Sequence, residues 1–431
     1  MPRVGLYLDT LNIKSIDVRD VDAGNPGMGG TEYMYFLVAS HLARTQEVTM
    51  YVTHAGAFPE GIRYVVVGGL REAAAEMAAN GEELLIMRES EVQANRKSLA
   101  GMGQKVLIWA QNYSGHRTLK ACVECPAIKR YLCVSREQYE NLRDEAVFAK
   151  ADYVYNTIAT ERWSAEPRVA KGNDVFYMGG IIEQKGFHVL ARHWPEIARA
   201  VPGARLHVVG SAKLYNPSDS MGPLGLASAD YERQFAKYIT ENGRLREDVI
   251  LHGKLGADKL DLLAQAKVAV PNPTGNGETF CISALEFALL GVPVVTRNFG
   301  GPVNIVINGE TGLLYEHESE LAQAVISLLK DGDRCQAMGR KAIIHARAHF
   351  DIAKVVAKWE SIILDVRAGL PAVPDLKVTG TPKTLKEWNR RIKRVPFLRW
   401  LPSIDRCTRA FLKKKHSLFD KRFRRLWPDR T

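Results

Sequence analysis

GNGETFCISALEFALLGVPVV, residues 275–295, decides how the rest of the chain is read. Glycines open it, an apolar run follows, and Gly291 precedes the strand-like VPVV. Pro271, Pro273, Gly275 and Gly277 make a tight loop that lets a ligand approach the backbone. The helix is expected to start near Thr279, leaving the amides of Thr279, Phe280 and Cys281 outside the intrahelical ladder. Such amides at the positive end of a helix favour an anion, phosphate above all. Glu278 stands at that mouth. Glu286 stands between Leu285 and Phe287, where a carboxylate without a partner would be costly. Eight helical residues would set the two acids about 12 Å apart along the axis and about 80° apart around it. That separation suits a ligand with hydroxyls at both ends and a diphosphate between them. A nucleotide sugar has this form. The plainer reading is that Glu278 favours the helix start and Glu286 faces solvent, and an E-x7-E spacing alone does not choose between them.

Outward from this stretch, β-rich runs alternate with helical periods. VGLYLD, VTMYVT, KVLIWAQ, RYLCVS and DYVYN fall before a polar stretch at 162–174, and DVFYMGG, RLHVVGS, DVILHG, VAVPNP and VPVVTR after it. This rhythm predicts two α/β, Rossmann-like, doubly wound domains facing a cleft, with ligands beyond the carboxyl ends of the strands. A chain of 431 residues is too long for one core, which agrees. The expected division is 1–165, 173–349, a closing helix over 350–369 that crosses back to the first domain, and a basic helical extension over 370–431.

The apolar fraction of 46% and charged fraction of 25% are those of a globular protein, and no run is apolar enough to span a bilayer. The opening MPRVGLYLDT reads as a strand rather than a signal peptide, so a cytoplasmic location is expected. Six cysteines are scattered, and Cys122 with Cys125 has no second pair to complete a metal motif. No metal and no cofactor is expected. From residue 371 onward there are 18 Lys and Arg against 5 Asp and Glu, a surplus of +13. The overall charge of +11 therefore leaves residues 1–370 at −2. The basic balance belongs to the tail.

Taken together, GETFCISALEFALLGVPVV and the following GGPVNIVINGETGLLY resemble the retaining glycosyltransferases of the GT-B fold, in the group 1 class (family four) with its E-x7-E motif. The resemblance runs from the amino terminus to about residue 369 and is strongest over 247–315. It implies a hexosyl-type transferase (EC 2.4) that uses a nucleotide-sugar donor and a saccharide or lipid-linked acceptor in polysaccharide, lipopolysaccharide or glycolipid assembly. By position, Glu278 would contact the donor sugar, Glu286 the ribose hydroxyls, and the amides of Phe280 and Cys281, beside Thr279, the diphosphate. MGGIIEQKG, residues 178–186, places Lys185 where the family has a phosphate-binding lysine and Gly180 where it has an arginine. HGKL, residues 252–255, puts Lys254 and Leu255 beside the nucleotide base, with Ser211 near the phosphate or ribose. NPGMGGTEYMYFLVASHLA, residues 25–43, is similar to the family's glycine-rich loop and helix, with Gly29 and Gly30 placed for close ligand approach. A dehydrogenase would need such glycines directly after the first strand, and here some fifteen residues intervene. Where many relatives carry a histidine, KVLIWAQNYSGH has Gln111. His116, five residues on, is the candidate imidazole.

Two other classes stay open: a nucleotide-sugar epimerase on the same architecture, and a catalytically silent binding subunit. In the tail, Ile404, Cys407, Phe411, Leu412, Phe419, Phe423 and Leu426 step by threes, fours and sevens, with Lys413, Lys414, Arg422 and Arg425 largely off that stripe. An anionic membrane surface over 385–427, on the inner face, is one expected partner. Packing on the protein itself is the alternative, and nucleic acid is not expected.

Overall fold

The computed structural model describes residues 3–160, 163, 172–214, 220–256 and 259–373, with a few isolated positions up to 401. The polar stretch at 164–171 and the amphipathic stripe of the tail lie outside the described residues.

The first sheet has seven parallel strands: β1 (Arg3–Leu8), β2 (Glu47–Val52), β3 (Arg63–Val66), β4 (Leu84–Arg88), β5 (Lys105–Ala110), β6 (Ile128–Cys133) and β7 (Ala151–Tyr153). Their order is β3-β2-β1-β4-β5-β6-β7. The second sheet has β8 (Asn173–Met178), β9 (Ala204–Val209), β12 (Val249–Gly253), β13 (Val268–Ala269), β14 (Val294–Arg297) and β15 (Gly312–Tyr315), in the order β12-β9-β8-β13-β14-β15. A small antiparallel hairpin, β10 (Thr240–Glu241) with β11 (Arg244–Leu245), stands apart. Most strands are almost wholly buried, as parallel sheets covered on both faces require. In each sheet the winding direction reverses beside the first strand, between β1 and β4 and between β8 and β13. Such reversals open a crevice at the carboxyl ends.

Two long helices join the domains. Gly332–Phe350 belongs to the second, and Ile352–Arg367 returns across the first. Asp351 separates them and caps the second helix by accepting the Ala353 amide. Trp359, fully buried, meets Trp109 edge to face at 4.8 Å. Lys105 Nζ donates to the Arg367 carbonyl at 2.9 Å, and Arg130 Nη2 to that of Leu370 at 2.6 Å. One apolar cluster runs from β1 through Ile158, Phe350 and Trp359 to Phe280 and Leu285. The cleft walls are therefore anchored to a common core.

Among the described residues no helix is long and apolar enough to cross a membrane. Cys122 and Cys125 are free thiols; Lys150 Nζ donates to their carbonyls at 3.0 and 3.1 Å and closes that helix end.

Candidate active site

A cavity of about 430 Å³ lies between the two sheets, at their carboxyl ends. The first domain contributes the loop around Gly27–Gly30, with Arg88 at the end of β4 and Gln111 after β5. The second contributes Gly179, Gly180 and Lys185 after β8, Ser211 after β9, Lys254 after β12, and the run from Gly277 to Glu286. Lys185, Gln111, Gly29, Gly30, Ser211, Lys254, Leu255, Glu278, Thr279, Phe280, Cys281 and Glu286 all line it. His116 does not. It opens the helix His116–Glu124, its Nδ1 4.0 Å from Glu145 Oε2. That places it against the first domain's own body, so the expected imidazole is absent from the described cleft.

Glycine is required where the strand ends meet. Gly210 has φ of 136°, and a Cβ there would fall 1.9 Å from the Gly179 carbonyl oxygen. The first domain's loop is held by Asn25, whose Oδ1 accepts the amides of Gly27 at 2.9 Å and Met28 at 2.8 Å. Gly30 begins the helix Gly30–Leu42, and a Cβ on it would meet the Ile282 side chain at 3.0 Å. Two helix starts thus face each other across the cleft.

The helix of the opening stretch is shorter than its sequence suggests. It runs Ile282–Leu289, and the first carbonyl to accept within it is that of Cys281, from Leu285 at 3.3 Å. Cys281 has φ of 80°, in the left-handed region that a residue with a side chain rarely occupies. This turn ends the extended loop and starts the helix three residues later than expected. Glu278 is consequently a loop residue, and the helical geometry linking it to Glu286 does not apply. Strain of this kind, held in place by its surroundings, is characteristic of binding sites.

Each acid of the E-x7-E pair has a lysine. Glu278 Oε2 lies 2.6 Å from Lys185 Nζ and accepts from Asn272 Nδ2 at 3.0 Å. Burial alone would push its pKa up, but Lys185, Asn272 and the Phe280 amide outweigh this and hold it below its ordinary value. A carboxylate depressed in the folded state contributes stability above its unfolded pKa. That contribution is lost as pH falls through the folded value. Glu286 Oε1 lies 2.8 Å from Lys259 Nζ, with both side chains under 10% exposed. This answers the cost of an acid between Leu285 and Phe287. Lys259 stands alone in an ordinary amphipathic segment, and Asn272 sits between two prolines; neither carries a sequence signal for its role.

Gln111 is already engaged. Its side-chain amide and that of Asn156 exchange hydrogen bonds at 3.1 and 2.9 Å, while its carbonyl accepts Thr279 Oγ1 at 2.6 Å from the other domain. Below it, buried Glu89 accepts the Gln111 amide at 3.0 Å and Asn112 Nδ2 at 2.9 Å. Tyr113 Oη also reaches the Glu278 carbonyl at 3.4 Å. Gln111 and Thr279 therefore tie the domains together at the floor of the cleft. Phe280 packs its ring near Tyr155 and Phe350. Burial pushes the Cys281 thiol up to about 12, which leaves it neutral and unsuited as a nucleophile.

The Lys259–Glu286 pair makes a sharp stability prediction. Lys259→Met, which strands a buried carboxylate, is expected to cost about 3–5 kcal/mol, whereas Lys259→Met with Glu286→Met recovers most of the loss. Urea unfolding of the two variants checks this; a single variant as stable as the wild type contradicts it.

Residues 160–345 match the family described as Glycosyl transferases group 1. A GDP-mannose-dependent alpha-(1-6)-phosphatidylinositol monomannoside mannosyltransferase of Mycobacterium tuberculosis is 27% identical over 203 residues, 44% of this chain and 50% of that one. A D-inositol 3-phosphate glycosyltransferase of Corynebacterium aurimucosum is 30% identical over 240 residues, 53% of each. The chain spans about half the length of the curated relatives it matches. Among solved structures, Anabaena HepE in complex with UDP-glucose superposes with a TM-score of 0.65 at 16% identity, over 85% of this chain and all of that one. At that identity the likeness is one of fold. Segment 160–345 of the chain thus matches the group 1 glycosyl transferases, and its two domains have the GT-B fold.

Proposed function

We propose that the cleft transfers a sugar from a nucleotide-sugar donor to an acceptor with retention of configuration, needing no metal. The observation that carries this reading is the Lys185–Glu278 pair beside the helix start at Ile282, at the mouth of a cavity lined by both domains. The relatives support it: one is named for GDP-mannose, and a structural neighbour holds UDP-glucose.

In this reading Glu278, kept ionised by Lys185, accepts from hydroxyls of the donor sugar. Glu286 does the same for the ribose. As the sugar takes on oxocarbenium character, negative charge gathers on the departing diphosphate. Lys185 and the helix-start amides from Cys281 to Ser283 stand ready for that charge, and such preorganisation is the largest catalytic contribution available here. The acceptor attacks on the face the diphosphate leaves, whose oxygen assists in taking the acceptor proton. With Gln111 bound to Asn156 and Cys281 neutral, no covalent nucleophile is assigned.

Lys185→Ala removes a charge that acts on the developing anion, so kcat is expected to fall by about 10²–10³-fold. Steady-state kinetics and product analysis check this together. Isomerised sugar from donor alone would point to the epimerase class instead, and an unchanged kcat would remove Lys185 from the chemistry.

A lipid-linked acceptor would give the basic residues 385–427 a purpose at an anionic bilayer. The full chain is expected to sediment with anionic vesicles and a chain ending at residue 370 to stay in solution. Equal sedimentation of the two would contradict the membrane role.

A further inference from the structure

The charges lining the cleft can be followed one by one. Five cations line it, Arg88, Lys185, Lys213, Lys254 and Lys259, against three carboxylates, Glu32, Glu278 and Glu286. Every carboxylate is paired: Glu32 with Arg88 at 3.0 Å, Glu278 with Lys185 at 2.6 Å, and Glu286 with Lys259 at 2.8 Å. Three of the five cations are thereby cancelled on the spot. Lys213 and Lys254 remain, and among the described residues neither forms an ion pair. The lining carries a surplus of two positive charges, located at these two side chains.

Both lysines follow strand ends that form the glycine floor. Lys213 lies in the turn Ala212–Leu214 just after β9, where its amide donates to Ser211 Oγ at 3.2 Å. Lys254 follows β12, whose last carbonyl, at Gly253, accepts the Gly210 amide at 2.7 Å. Its side chain reaches across to the first domain: a Cβ on Gly27 would meet Lys254 Cε at 2.7 Å and the Leu255 carbonyl oxygen at 3.0 Å. The glycine loop is thus open at Gly27 where Lys254 crosses it. Gly180, beside them, has no side chain to offer.

We propose that Lys213 and Lys254 are the positioning residues that neutralise the diphosphate of the donor, one from the floor and one from across the cleft. The diphosphate of a nucleotide sugar, esterified at both ends, brings one negative charge per phosphate, which the three internal ion pairs cannot match without giving up their carboxylates. Lys185 offers hydrogen bonds to the same group, but its charge is offset by Glu278 while the two remain paired. Lys254, spanning the two domains, also links anion binding to their approach. This inference rests on the nucleotide-sugar reading of the cleft.

Calorimetry with UDP, GDP, ADP, the matching nucleosides and inorganic pyrophosphate tests it on the full chain. Lys213→Gln and Lys254→Gln are each expected to weaken the preferred nucleoside diphosphate about tenfold, the loss of one charge-assisted hydrogen bond. Nucleoside binding should not change, and Lys213→Arg and Lys254→Arg should bind as the wild type does. Glutamine variants with wild-type affinity, or an equal loss for nucleoside and diphosphate, overturn the assignment. Should the wild type bind pyrophosphate through these lysines but no nucleotide, the anion site stands and the nucleotide reading falls. Binding of neither removes both.

Discussion

The contact between Lys185 and Glu278 holds the cleft in its form. It joins the loop after β8 to the loop ahead of the Ile282–Leu289 helix, segments 93 residues apart. Asn272, fully buried, fixes the carboxylate from a third direction, and its carbonyl accepts Thr296 Oγ1 at 2.7 Å from β14. A carboxylate this buried must be paired or protonated. Pairing keeps it charged, and the charged form is the one that accepts hydrogen bonds through both oxygens. The strained turn at Cys281, the start of the helix and the domain-bridging bonds of Thr279 and Tyr113 all follow within four residues or one contact of that acid.

The same logic recurs around the cavity. Each acid is held by a cation from a different segment, so the lining is stiff and internally balanced apart from two lysines near the floor. Charges fixed by the fold cost little reorganisation when a charged ligand arrives. Rigidity also comes from below, where Trp109 and Trp359 fasten the returning helix to the first domain, and from the reciprocal amide pair of Gln111 with Asn156.

The fold was legible because parallel strands buried on both faces read as apolar runs, and their alternation with helical periods leaves few topologies. DVFYMGG and RLHVVGS each carry glycine at the strand end, and at Gly210 the structure shows it to be sterically required, because a Cβ there would strike the Gly179 carbonyl. The site was legible in its local run, since the residues from Gly277 to Cys281 line the cleft, though their conformation was not. It was not legible where a partner arrives from far along the chain. Lys259, Asn272 and Asn156 look ordinary in sequence because their roles are created by packing. The helix start was misplaced for a local reason: a cysteine at positive φ carries no mark that distinguishes it from a helical cysteine. His116 illustrates the reverse case, a residue whose chemistry attracted notice but whose helix turns it toward Glu145.

The central claim is that this cleft is built around a nucleoside diphosphate sugar. Thermal unfolding of the full chain with UDP-, GDP-, ADP- and dTDP-sugars tests it most directly, because a ligand that binds the folded state alone stabilises it by mass action. One nucleotide class should raise the melting temperature well above the others, corresponding to about 2.7 kcal/mol at a hundredfold excess over its dissociation constant. A melting temperature unmoved by every donor, in a chain that is folded, would contradict the account.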